Sequence, residues 1–174
     1  WVDLVEPSSD DLQLLGEELG LHPLAIEDAL KGRQRAKLEH YPTHLFINAY
    51  AAKWDSDSDE LATYEISVFV TPYAIITVRD KDAFDFTAVT KRWDDSVALA
   101  GTGVGFLLWG LLDVLVDGYF ELVEKLDVEV DELEDLLFEE NASVANANAR
   151  EIQKRSYQLR KALVTLRRIA VPMR

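Results

Sequence analysis

From residue 106 onward the apolar residues recur in alternating steps of four and three. Leu108, Leu112, Leu115, Tyr119, Leu122 and Leu126 form such a series, which then passes to Val130, Leu133 and Leu137. That spacing is the seam of a helix packed lengthwise on another helix. It predicts one continuous helix over Phe106–Glu140, roughly 50 Å long at 1.5 Å per residue. Asn141 to Asn148 (NASVANAN) reads as a turn. A second helix then carries Ile152, Ser156, Leu159, Leu163, Leu166 and Ala170 at the same spacing. The two read as an antiparallel hairpin, and their charges agree. Asp113–Glu140 holds twelve acids and Lys125 as its only base, whereas Arg150–Arg174 holds eight bases and Glu151 as its only acid. An acidic helix beside a basic one gains complementary pairs, each worth only ~0–1 kcal/mol where exposed.

Before residue 95 the pattern is shorter and mixed. Trp1–Val5 reads as a strand. Pro7-Ser8-Ser9 caps a helix bearing Leu12, Leu15 and Leu19, which Gly20 stops. A second short helix, LHPLAIEDALK, has Pro23 in its first turn. Lys31–His40 reads as a basic polar connection. Three strands follow at His44–Ala51, Ala62–Thr71 and Ala74–Arg79, and their short polar turns imply an antiparallel meander. Phe84–Ala98 reads as a helix on the spacing of Phe84, Ala88, Val89, Trp93 and Val97. The expected class is α+β: an α/β/α-layered domain with a mainly antiparallel sheet over 1–95, then a long helical hairpin over 96–174.

The chain has 174 residues, 18 Lys and Arg against 32 Asp and Glu, and a net charge of −14. Such a surplus of acid opposes binding to nucleic acid or to an anionic membrane surface, and it favours cations. With no cysteine, disulfides, thiolate nucleophiles and thiolate zinc sites are excluded. No secretory leader opens the chain, and the strand at its first residue reads as the start of an excised fragment. Val97–Leu112 is uncharged for sixteen residues. It contains four glycines, falls short of the roughly 18 to 20 residues of a span, and reads as a buried loop leading into a core helix.

Several motifs fail on spacing. Asp55, Asp57 and Asp59 alternate like the start of a calcium loop, but Glu60 and Ile66 stand where Gly and Glu are needed. Gly101, Gly103 and Gly105 fail as a dinucleotide loop, because Phe106 stands where a glycine is needed three residues after Gly103 and no strand precedes them. His40 and His44 have the spacing of a helical zinc pair, yet Pro42 lies between them. Asn141-Ala142-Ser143 matches a glycosylation acceptor and reads instead as a helix-end turn. No nucleophile-base pair or tuned carboxylate pair stands out, so no enzyme is expected. Glu27, Asp28, Asp113 and Asp117 have the hard oxygen donors that Mg²⁺ prefers, but spacing alone does not bring them together.

The segment LHPLAIEDALKGRQRAKLEHYPTHLFI resembles the signature of CorA-type divalent-metal transporters. LLDVLVDGYFELVEKLDVEVDELEDLLF is similar to that family's first long cytoplasmic helix, and IQKRSYQLRKALVTLRRIAVPMR to its returning helix. Ala36 stands where the family usually has Pro. The stalk helix, the two transmembrane helices and the Gly-Met-Asn pore signature are not in this sequence, so it is not expected to transport anything by itself. The resemblance implies a cytoplasmic regulatory domain at the inner face of the cell membrane, part of a homopentamer joined to its own membrane domain. It implies regulatory Mg²⁺, with Co²⁺, Ni²⁺ or Zn²⁺ as substitutes, between adjacent subunits. Carried over by position, the metal residues are Glu27, Asp28 and Asp113. A related zinc transporter, or a soluble module whose acidic hairpin binds a partner protein, are the alternatives.

Overall fold

The computed structural model describes residues 1–55, 58, 60–80, 84–138 and 142–173. Strands β1 (Val2–Val5), β2 (Lys37–His40), β3 (Leu45–Asp55), β4 (Glu60–Val70) and β5 (Ile75–Arg79) form one sheet in the order β1-β5-β4-β3-β2. Three of the pairings are antiparallel and β1 runs parallel to β5. The helices are α1 (Ser9–Leu19), α2 (Pro23–Lys31), α3 (Thr87–Asp95), α4 (Val104–Leu137) and α5 (Ala142–Ala170).

Local chemistry accounts for the first helices. Ser8 caps α1 in a reciprocal capping box with Asp11, and Gly20 ends it in the left-handed conformation at φ 66°. His22 caps α2, its ring Nδ1 accepting from the Leu24 N–H at 3.2 Å.

Side chains alternate across the sheet and build two cores. On one face Phe46, Phe69, Ile76 and Val78 pack with Leu12 of α1 and Ala25 and Ile26 of α2. On the other, Ala49, Ile66, Val68 and Ile75 pack with Val89 of α3 and Leu111 and Leu115 of α4. A third cluster joins Ala52 of β3 to Leu122 and Leu126 of α4 and to Ala162 and Ile169 of α5. β2 covers β3 only over residues 45–48. Farther along, α4 passes the uncovered edge of β3, where the Tyr119 hydroxyl donates to the Tyr50 carbonyl at 2.5 Å. An open strand edge is thereby shielded.

The hairpin is antiparallel. Arg155 of α5 reaches Glu129 and Glu132 of α4, while Ala162 and Ile169 lie with Leu126 and Leu122. Half of the expected α5 seam holds, since Leu159 and Leu166 pack in the third cluster and Ile152 is half-buried. The alternate positions fall one residue earlier: Ala162 and Ile169 are buried, whereas Ser156 and Leu163 are exposed and Ala170 is only half-buried. α5 packs against the sheet as well as α4, and the direction between those two neighbours selects its inner face.

Other segments also differ. Lys37–His40, expected as connection, is strand β2, because β3 offers it a pairing edge. α3 is shorter than Phe84–Ala98, since Asp94 and Asp95 fall at its C-terminus, where the helix dipole disfavours negative charge. Val97–Thr102 is a 3₁₀ turn, and Val97 and Leu99 are exposed rather than buried. α5 already begins at Ala142, so most of NASVANAN is helix. Four alanines among residues 142–149, with no Gly or Pro, favour it. Asp57, Asp59 and Asn141 lie outside the described residues.

Candidate metal-binding site

α2 carries Glu27 and Asp28 on consecutive positions of its last two turns. Glu27 pairs with Lys31 one turn on, and both are well exposed. Asp28 accepts from Lys37 Nζ on β2 at 2.5 Å, and the same ammonium reaches Glu39 at 2.8 Å. Burial pulls the Lys37 ammonium down, but the carboxylates of Asp28 and Glu39 outweigh it and hold it protonated above its ordinary range. Glu27 likewise raises Lys31 through their hydrogen bond.

Asp113 lies on α4 beside α3. Arg92 of α3 bridges two carboxylates one helical turn apart, with Nη1 on Asp113 and Nη2 on Asp117 at 2.6 Å. The hydrogen bond to Asp117, with the charge of Asp113 added, raises Arg92 further. Two acids thus converge on one cation, a guanidinium that this chain itself supplies.

The fold sets these acids apart. α2 packs on the face of the sheet that bears Phe46 and Phe69, and the Asp113 segment packs on the face that bears Ile66 and Val68. Glu27 and Asp28 are therefore not brought to Asp113 within one chain. Among the described residues no three His, Asp or Glu side chains form a group able to hold a metal. The histidines gather elsewhere. His22 and His44 stack on Tyr41 at 4.5 and 4.9 Å, while His40 is exposed at the end of β2.

The family model described as CorA-like Mg2+ transporter protein matches residues 1–174. The chain belongs to the CorA family. It is 33% identical over 177 residues to the cobalt/magnesium transport protein CorA of Thermotoga maritima, covering 100% of this chain and 48% of that protein. It is 30% identical to a putative metal ion transporter, YfjQ, of Bacillus subtilis, covering 100% of this chain and 51% of the relative. The chain thus spans about half the length of these CorA relatives. The soluble domain of CorA from Methanocaldococcus jannaschii superposes with a TM-score of 0.72 at 19% identity, over 98% of this chain and 65% of that one. This likeness carries the CorA fold. Among the described residues no helix is long and apolar enough to cross a membrane.

The basic tract next to Glu27 and Asp28 supplies the partner of Asp28, Lys37, only 9 residues away and within reach of a local reading. What sequence reasoning missed is the counter-ion of Asp113, Arg92, which stands 21 residues away and which no local spacing signals.

Proposed function

We propose that this chain is the regulatory, metal-sensing domain of a CorA-type Mg²⁺ channel or transporter at the cytoplasmic face of the inner membrane. Residues 1–95 form its sheet domain and 96–174 the hairpin leading toward a stalk helix. The full protein is a homopentamer joined to its own membrane domain, and Mg²⁺, replaceable by Co²⁺, Ni²⁺ or Zn²⁺, sits between neighbouring subunits. The observation that supports this reading is the placement of Glu27 and Asp28 opposite Asp113 across the sheet, which leaves their joining to a second copy. The donor chemistry suits a hard cation, since all are carboxylates. With −14 on each copy, acidic faces repel until a cation lies between them. Mg²⁺ there favours the closed assembly, and its loss frees the subunits and the pore. The ion biases that gate only through its differential affinity for the two states.

The test is thermal unfolding in millimolar MgCl₂ against NaCl matched in ionic strength, because screening follows ionic strength and coordination follows the ion. Asp28→Asn with Asp113→Asn is compared with Asp57→Asn with Asp59→Asn, two charges being removed in each. A Mg²⁺-specific shift lost only in the first pair supports the site. Equal loss in both, or loss in neither, refutes it.

A further inference from the structure

A groove of about 480 Å³ lies over the β3–β4 ribbon, between the α2–β2 connection and the C-terminal end of α5. Arg33 and Arg35 line it from the connection, Arg168 and the buried Ile169 line it from α5, and Tyr50 and Glu65 lie at its sheet side. Its charge pattern is opposite to that of the molecule. Acids outnumber bases 32 to 18 over the chain, yet in the groove three arginines face two acids, and none of the three arginines has an ion pair among the described residues.

The two carboxylates of the groove make no ion pair with these guanidiniums among the described residues. Glu65 is occupied by backbone and amide donors: the Arg33 N–H, the Gln34 N–H at 3.0 Å and Asn48 Nδ2 at 2.9 Å. Asp80, which also lines the groove, makes no ion pair among the described residues. The connection is also held in an unusual conformation. Gly32 and Arg33 have φ of 60° and 56°, and the second is a left-handed conformation that an L side chain rarely adopts. Strain at a non-glycine residue persists where the surroundings impose it, and such positions gather at ligand sites. Here the Glu65 carboxylate imposes it by accepting two consecutive peptide N–H groups. Tyr50 donates from its hydroxyl to the Gln34 carbonyl and ties the same connection to β3. Arg33 and Arg35 thus stand on a braced segment opposite Arg168.

The geometry points to an anion site for a phosphorylated small molecule, its phosphate oxygens held among Arg33, Arg35 and Arg168. Planar guanidinium forks match phosphate oxygens in pairs. The volume is that of a site for a small metabolite rather than for a lone ion. An occupant would close the end of α5 onto the α2–β2 connection, relieving the mutual repulsion of three like charges.

The experiment is isothermal titration of the 174-residue chain with potassium pyrophosphate and with ADP, in EDTA and at fixed ionic strength. Saturable binding of either probe is expected. Arg35→Ala and Arg168→Ala should each weaken it about tenfold or more, as loss of a charge-assisted contact does. Arg160→Ala, an exposed base away from the groove that makes no ion pair among the described residues, should leave it unchanged. Tighter ADP than pyrophosphate identifies a nucleotide as the source of the phosphate, and equal affinity a simple phosphorylated anion. No saturable binding of either probe, or equal losses in all three variants, overturns the site. Circular dichroism of each variant separates lost binding from lost folding. EDTA keeps the result independent of Mg²⁺ sensing.

Discussion

Replacing Glu65 with Ala removes one carboxylate and strands three donors, the N–H groups of Arg33 and Gln34 and the amide of Asn48. A hydrogen bond to a charged acceptor contributes about 1.5–3 kcal/mol when buried. The Arg33 N–H is near solvent and Gln34 is half-buried, so water recovers part of those two contacts, whereas the Asn48 amide is buried at 1% exposure and recovers little. About 0.5 kcal/mol for each of the first two donors and about 1.5 kcal/mol for the third, or about 2–3 kcal/mol in all, is the expected loss. For a chain of this length that lowers the melting temperature by about 5–10 °C. Glu65→Gln keeps one acceptor oxygen and should lose about half as much. Urea unfolding followed by circular dichroism measures both. A cycle with Asn48→Ala isolates the shared contact, with a coupling of at least about 0.5 kcal/mol expected for residues in one network. Asn48 also donates to the Arg35 carbonyl at 3.3 Å and accepts from Ser67 at 2.9 Å, so its own replacement costs more than the Glu65 contact alone. Glu65→Ala within about 0.5 kcal/mol of the parent, the range of an inert surface change, would refute the brace.

Gly110→Ala would place a Cβ 2.4 Å from Trp93 Nε1 and 2.5 Å from its Cδ1. That indole is anchored on the Leu107 carbonyl at 3.1 Å. Overpacking of about 1–3 kcal/mol outweighs the ~1 kcal/mol gained in helix propensity, so calorimetry should show net destabilisation together with altered tryptophan fluorescence. Gly16→Ala meets only the terminal methyl of Ile26, which can turn away, and should be near neutral. His44 is 4% exposed, and burial first, then the nearby His22, lowers its imidazole pKa. The unfolded chain therefore binds that proton first. Stability is fully present above pH ~6.5 and falls as pH drops through the lower folded value, by at most about 1.4 kcal/mol per pH unit. His44→Phe should flatten that slope in urea titrations between pH 7 and 5, and an unchanged slope would exclude His44 as its source. Arg155→Ala breaks contacts of 2.7 and 2.5 Å to Glu129 and Glu132 and should cost about 1 kcal/mol, less at high salt.

The elements written in local chemistry were legible in the sequence. The cap at Pro7-Ser8-Ser9, the stop at Gly20, the three strands of the meander and the α4 seam each depend on neighbours within a few residues. The antiparallel hairpin was legible too, because segregated charge and a shared seam extend along whole helices. Tertiary structure decided the rest. Lys37–His40 became a strand only because β3 offered an unpaired edge, which no polar tetrapeptide announces. The inner face of α5 was settled by where the sheet and α4 lie, so that Leu159 and Leu166 of the expected seam stayed inside while the alternate positions moved to Ala162 and Ile169. Glu27, Asp28 and Asp113 were read as carboxylates of a site between adjacent subunits; within one chain the fold sets them on opposite faces of the sheet and gives each a base of its own. The Glu65 brace joins residues 31 and 32 positions apart. Periodicity reports which side of an element is apolar, but a charge acquires its partner only when distant segments pack, so the site's electrostatics belong to the folded chain.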